Sequence, residues 1–458
     1  MTSKKNMTTL KEVKDAYKSV FYMKDENDGV LDVILAVTIS TWTGNDGIWL
    51  LLIGGPSTGK TECLNIITSL PFVHTISTLT ENTFLSGMKL KAGQEASLLH
   101  RVGPKGVLVF KDFTTVLGLR DDRRTEILNQ MREIYDGKIV KSTGNGEDNN
   151  WEGKINVLAA TTEVIYSESN KQAANGIRFF NYVMPKMTME EEMNMAKRSK
   201  KMINHAKTKR DWLKEVTRDY IEGILKNIGD ELPQITEEFS DRIRNLAYVI
   251  TKARAATDHN WKGDVEFVHE KESITRLVNQ MEILAQTFML MNNGQTSEKH
   301  EQIIFKILLD SIPKYLRKVI ELMLKYPAVT TAGIAQAMNM QSEVVARWLI
   351  QLNAHEIIDR KKTFGSSVDM WELRKEIRGI LNNYITVDYI DDYLTGEGSG
   401  ETVAKRGGAF DTYNYSPEMV DSVTEKEKKE KQSRDTEDYF NSFGSNQNTP
   451  NLIDDDDF

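Results

Sequence analysis

The chain has 458 residues, 40% apolar and 28% charged, which suits a globular protein of roughly two to four domains with real cores. Its formal charge of −8 is localised: Gly396 to Phe458 holds 15 Asp/Glu and 7 Lys/Arg, so the body is neutral and nucleic-acid binding stays open, because that depends on local patches. One cysteine, Cys63, excludes an intramolecular disulfide and reads as a small buried filler rather than a nucleophile. Met1 to Phe21 lacks the apolar core of a signal peptide. Val30 to Ile39 and Ile48 to Ile53 are too short to span a bilayer, so a cytoplasmic, membrane-free location is expected.

In chain order, residues 1–28 read as a polar, partly helical lead-in. Gly29 to Thr41 is a buried-helix candidate, closed by the Gly44-Asn45-Asp46-Gly47 turn signal. Ile48 to Ile53 is a short continuous apolar run, the mark of a buried parallel strand. A helix is expected from Lys60 to about Ser69. Further strands are expected over Val73–Leu79, Gly106–Phe110 and Ile155–Ala160. Ile127, Leu128, Met131 and Ile134 share one stripe, which predicts a helix over Arg123–Tyr135. This alternation predicts an α/β parallel sheet over 29–186. Residues 187–300 read as helical with no good strand candidate. A smaller mixed unit follows over 301–385, and 386–458 reads as a disordered acidic tail. No internal repeat is present.

Gly54-Gly55-Pro56-Ser57-Thr58-Gly59-Lys60-Thr61, followed by Glu62, matches G-x-x-x-x-G-K-T. In that pattern backbone N–H groups curl around phosphates, the Lys60 ammonium reaches the β and γ positions, and the Thr61 hydroxyl ligates Mg²⁺. ATP and Mg²⁺ are therefore the expected ligands. A chance glycine-rich turn is disfavoured by the strand before and the helix after. Asp112 ends the Val107–Phe110 run and is placed to hold Mg²⁺ through its water shell. The commonest pattern has Glu next, but Phe113 stands there, so a water-orienting group must come from elsewhere. Glu81, 21 residues beyond Lys60, is the candidate; a solvated or capping glutamate is the competing reading.

Asp136 to Asn145 forms a basic hairpin pattern between that helix and Trp151 to Thr162. This order resembles the AAA+ branch with a hairpin before sensor 1, which includes minichromosome-maintenance helicases and bacterial enhancer-binding activators. The resemblance implies sensor 1 at Thr161 or Thr162. It implies an arginine finger offered to the next subunit at Arg178, within Asn175–Pro185, and a sensor 2 arginine at Arg276. It also implies a homo-oligomeric ring, a hexamer in the usual case. For both arginines a surface ion pair is the alternative. Gly29 to Ile380 is more closely similar to ATP-binding proteins of phages and integrative elements. These share Lys111-Asp112-Phe113-Thr114, the Arg132–Gly137 stretch and a C-terminal winged helix. The resulting fold expectation is an AAA+ core (29–186), a helical lid (187–300), a winged helix (301–385) and the acidic tail.

For DNA, Lys138, Lys141 and Lys154 straddle the hairpin and would track a phosphate backbone. In the winged-helix pattern of Pro313–Leu373, Gln341, Ser342 and Arg347 are candidates to face a groove, and Arg360, Lys361 and Lys362 form the wing. Solvated faces or protein contacts are the alternatives. The tip Asp454, Asp455, Asp456, Asp457 and Phe458 resembles the acidic end of bacterial single-strand DNA-binding proteins, which implies a replication partner with a basic, apolar pocket. The whole pattern implies a ring-forming ATP-dependent DNA translocase or helicase of phage or mobile-element replication. A helicase loader or initiator and a DNA-binding transcription regulator are the rivals. The activators' Gly-Ala-Phe-Thr-Gly-Ala loop is absent, which weighs against the last.

Overall fold

The structure is a computed structural model that describes residues 8–44, 46–86, 88, 95–142, 148–168, 178–229, 231–260, 265–362 and 369–385. Residues 386–458, with the expected tip Asp454–Phe458, lie outside the described residues, as do residues 143–147 of the expected hairpin and 363–368 of the expected wing.

The protein is α/β, built on a five-stranded, all-parallel sheet. Helices α1 (Leu10–Val20) and α2 (Gly29–Ser40) precede β1 (Trp49–Ile53); α3 (Lys60–Asn65), β2 (Val73–Ile76), α4 (Leu98–Val102), β3 (Lys105–Phe110), α5 (Thr114–Leu117) and α6 (Asp121–Asp136) follow. Then come the hairpin β4 (Lys138–Ser142) and β5 (Asp148–Glu152), and strands β6 (Lys154–Thr161) and β7 (Phe179–Val183). The sheet order is β2-β3-β6-β1-β7, with every neighbour parallel.

Parallel strands need cover on both faces, and the alternation of side chains divides β1 accordingly. Leu50 and Leu52 join the core under α2, while Trp49, Leu51 and Ile53 join the core under α6. All 12 residues of α2 are buried, as its unbroken apolar sequence requires. Asn156 of β6 fixes α2 against the sheet. Its Oδ1 accepts from Ile48 N (2.7 Å) and its Nδ2 donates to Val37 O (2.6 Å), Ser40 Oγ and Thr41 Oγ1 (both 3.0 Å).

The remaining helices are α7 (Met189–Met202), α8 (Ala206–Lys226), α9 (Glu237–Ala253), α10 (Ile274–Met291) and α11 (Glu298–Asp310), with strands β8 (Thr257–His259) and β9 (Val265–Val268) between α9 and α10. A last group comprises α12 (Lys314–Lys325), β10 (Val329–Thr330), α13 (Thr331–Met338), α14 (Ser342–Ala354), β11 (Ile358–Lys362), β12 (Asp369–Leu373) and α15 (Lys375–Leu381). Its three strands form an antiparallel sheet ordered β10-β12-β11.

Several expectations need correction. The fifth strand, β7, forms from the segment read as carrying the arginine finger. As an edge strand it presents free N–H groups, and α11 caps them: Asp310 Oδ2 accepts from Val183 N (2.8 Å) and Ser311 Oγ from Asn181 N (3.1 Å). Residues 187–300 do contain a hairpin, β8–β9, whose Phe267 and Val268 are exposed, so no alternating apolar pattern announced it. Helix α3 stops at Asn65, and the chain tightens into three-residue turns up to Leu70. Strand β2 ends at Ile76, short of Leu79.

Asn156→Ala would leave the buried Ile48 N–H without its partner and take one of two donors from the Val37 carbonyl, which keeps the Ser40 hydroxyl (2.9 Å). A loss of about 1–3 kcal/mol is expected, read as a lower midpoint in urea unfolding with unchanged slope.

Candidate functional site

In an all-parallel sheet every strand ends on one edge, where open α/β folds place their ligands. At this edge the chain leaves β1 at Gly54, whose N–H donates to Thr161 O (3.3 Å), while Met184 N donates to Ile53 O (2.7 Å). A Cβ at Gly54 would lie 3.0 Å from Met184 Cβ and 3.1 Å from Thr58 Oγ1, so a larger residue would push on both side chains. Ser57 (φ 61°) and Gly59 (φ 83°) adopt left-handed backbone, the kind of turn that can aim successive N–H groups at one anion. Lys60 Nζ donates to Gly54 O (2.7 Å), Gly55 O (2.6 Å) and Thr58 Oγ1 (3.3 Å). Burial holds the Lys60 ammonium pKa below its usual value, with the Asp112 charge acting the other way.

Asp112 follows β3 and is exposed; its Oδ1 accepts from Thr114 N (2.9 Å). Phe113 N donates to Ala160 O (2.7 Å), and the Phe113 ring packs between Phe110 (5.5 Å) and Phe179 (5.4 Å). Position 113 is thus a core position, and a glutamate there would be a buried charge. This is why the acidic pair is broken. Thr161 is buried, so Thr162 is the accessible threonine at the end of β6, between the ends of β1 and β3. Glu81 lies beyond β2, which β3 and β6 separate from β1. Its carboxylate pairs with Arg123 (3.4 Å), and its carbonyl accepts from Lys141 Nζ (2.7 Å) and Gln130 Nε2 (3.0 Å). Glu81 therefore belongs to the α6–hairpin contact.

Beside the loop opens a cavity of about 550 Å³, lined on one side by Ser57 to Glu62. Tyr17, Phe21, Met23, Met184, Pro185 and Met195 supply an apolar wall. Helix α1 is held there by charge: Lys14 pairs with Asp32 (2.6 Å) and Lys18 with Asp28 (2.6 Å). Arg210 of α8 grips Glu62 through Nε (3.2 Å) and Nη2 (2.7 Å). The Tyr17 hydroxyl meets Cys63 Sγ at 3.1 Å. Sequence reading missed this wall, because its parts lie far apart in the chain and residues 1–28 read only as a lead-in.

At the opposite edge of the sheet, Arg178 and Arg276 come together. Their guanidinium carbons lie 5.2 and 5.6 Å from the Tyr135 ring centre. Arg178 pairs with Asp136 (3.4 Å). A third arginine, Arg254, is buried beside them; Glu272 pairs with Arg254 (2.6 Å) and with Arg276. Burial pulls the pKa of Arg254 and Arg276 down, and Arg178 adds to the effect on both. A guanidinium stays charged in a protein, so this edge concentrates positive charge. Nothing in the sequence around Arg254 signals it.

Of the lysines at the hairpin, Lys138 is exposed, Lys141 is bound to Glu81 O and Asn82 Oδ1 (both 2.7 Å), and Lys154 donates to Tyr135 O (3.3 Å). In the C-terminal group Gln341 and Ser342 open α14 on an exposed surface. Arg360 pairs with Asp369 and Lys361 with Glu372 across β11 and β12. Arg347 and Lys362 make no ion pair among the described residues. Among those residues, too, no helix is long and apolar enough to cross a membrane.

No protein-family model matches this chain, and no curated protein sequence does either.

Cys63 is fully buried and its thiol pKa is pushed up by burial to about 12. From an ordinary value near 8.5, the thiolate fraction at about pH 8 falls on the order of a thousandfold. Maleimide labelling should be slow by a comparable factor in the native protein and fast in denaturant. Equal rates in both states would contradict the packing of α1 on α3.

Proposed function

We propose that this chain is an ATP-hydrolysing P-loop motor of the AAA+ type that assembles into a ring and acts on DNA in phage or mobile-element replication, most directly as a translocase or helicase. One observation carries the reading: a G-x-x-x-x-G-K-T loop stands at the carboxyl edge of a parallel sheet, beside a cavity of about 550 Å³, with β6 inserted between the strands that bear the loop and Asp112.

The residues fit the ligand. Left-handed Ser57 and Gly59 suit a phosphate cradle, and Lys60, now on the Gly54 and Gly55 carbonyls, would hold the β and γ oxygens. The apolar wall of Tyr17, Phe21 and Met184 suits a purine ring. Thr61 and Asp112 would hold Mg²⁺, which neutralises charge developing on the phosphates. Thr162 is the polar group at the end of the intervening strand, suited to orienting water, since Phe113 is in the core and Glu81 is paired elsewhere.

Arg178 and Arg276 sit at the amino edge, one strand length or about 13 Å of β1 away from the loop. They are suited to a neighbouring subunit's γ-phosphate, not to their own. In this reading 187–300 is a lid and 301–385 a winged helix. Lys138, Arg347 and Lys362 are the cations best disposed toward DNA. The neutralised wing residues Arg360 and Lys361 favour, as a second reading, a helicase loader or initiator whose wing contacts protein. A strand-displacement assay separates the two.

The test is turnover in mixtures. Lys60→Ala should lower ATP hydrolysis by at least about 100-fold. Arg178→Ala should do likewise while ATP binding persists. Mixing the two variants should restore part of the rate, because each supplies what the other lacks. Wild-type turnover in Lys60→Ala would refute the site. Absence of rescue in co-assembled variants would refute sharing between subunits.

A further inference from the structure

From Lys197 to Arg210 the chain holds seven Lys/Arg and no Asp/Glu. The run covers the end of α7, the turn and the start of α8, and the two helices sort it by direction. Arg198 and Arg210 turn inward: Arg198 Nη1 donates to Ser19 O (3.1 Å) and Arg210 grips Glu62, and both line the cavity. Lys197, Lys200, Lys201, Lys207 and Lys209 are exposed, and none makes an ion pair among the described residues. Other cations of the fold are matched, as Lys18 is with Asp28, Arg317 with Asp310 and Arg374 with Asp359; single unpaired cations such as Arg347 and Lys362 do occur, but here five fall within 13 residues. Five unmatched lysines on one corner repel each other unless an anion faces them.

Two apolar side chains stand in or just beyond this stretch, the second after Asp211, which pairs with Lys214 (3.8 Å). Ile203 is 70% exposed and Trp212 is 41% exposed, with Lys209 Nζ 5.4 Å from the Trp212 ring centre. A merely solvated face has no use for an exposed indole beside its lysines. Cations interleaved with an aromatic face are the arrangement that takes a phosphate backbone and stacks an unpaired base.

We propose that the α7–α8 corner is a binding surface for single-stranded nucleic acid, with Lys200, Lys201 and Lys207 on the backbone and Trp212 stacking a base. It is separate from the hairpin and C-terminal lysines of the function proposed above and rests on that reading only for the kind of polymer. Because Met202, Ala206 and Arg210 on the same two helices line the cavity, a strand held here lies against the wall of the nucleotide pocket.

The experiment uses the full chain without nucleotide, so failure of ATP hydrolysis leaves its result intact. Anisotropy of a labelled oligo-dT is followed against salt for wild type, for Lys200→Glu/Lys201→Glu/Lys207→Glu and for Trp212→Ala, with thermal melting to verify folding. The triple variant should bind at least about tenfold more weakly, with a salt slope shallower by about two units, since each single-strand phosphate contact contributes about 0.7. Trp212→Ala should weaken oligo-dT severalfold and leave a duplex of equal length unaffected. Unchanged oligo-dT binding in the triple variant overturns the proposal. So does an equal loss for duplex and single strand with no effect of Trp212→Ala, or binding to phosphatidylserine vesicles without binding to oligo-dT.

Discussion

A parallel strand cannot be left half solvated, and that constraint organises this molecule. Every strand of the sheet needs cover on two faces, so α2 is buried all round and α6 closes the other side. Connections between parallel neighbours must cross over, which sends all five strand ends to one edge. The Gly54–Thr61 loop, Asp112 and Thr162 meet there because of this topology, not because they are near in sequence. Asn156 ties the arrangement together through four hydrogen bonds to α2 and the approach to β1.

The same geometry explains a division of charge. One edge carries the loop with Lys60, and the other carries Arg178, Arg254 and Arg276 around Tyr135. A cation cluster that its own loop cannot reach is either structural or addressed to another molecule. The shared carboxylate of Glu272 and the ring of Tyr135 hold the guanidinium groups in place, which a surface ion pair alone would do poorly. In the ring proposed above, one edge of a chain would face the opposite edge of the next copy, so that the two halves would complement each other.

Much of this was legible in the sequence, for identifiable reasons. Ile48 to Thr61 announces itself, since an apolar run, a glycine loop and a lysine are local features. The run ending in Asp112 and the stripe on α6 are local too. Strand β7 was not recognised because its alternation of half-buried Phe179, Asn181 and Val183 with buried Phe180 and Tyr182 suits an edge strand and lacks a continuous apolar run. The cavity wall was invisible because it joins residues 17–24 to 184–210. The position of Glu81 relative to Lys60 suggested proximity, yet strand order, which spacing does not encode, put β3 and β6 between. The basic run at 197–210 is plain to count, but only the packing of α7 and α8 separates inward arginines from outward lysines.

The central claim is that the loop and its cavity form a nucleotide site. Calorimetric titration of ATP with Mg²⁺ into wild type and Lys60→Ala addresses it directly. Saturable binding to wild type, displaced by ADP and weakened at least about tenfold in a folded Lys60→Ala protein, is the predicted result. No binding to wild type, or equal affinity in both proteins, would contradict the account.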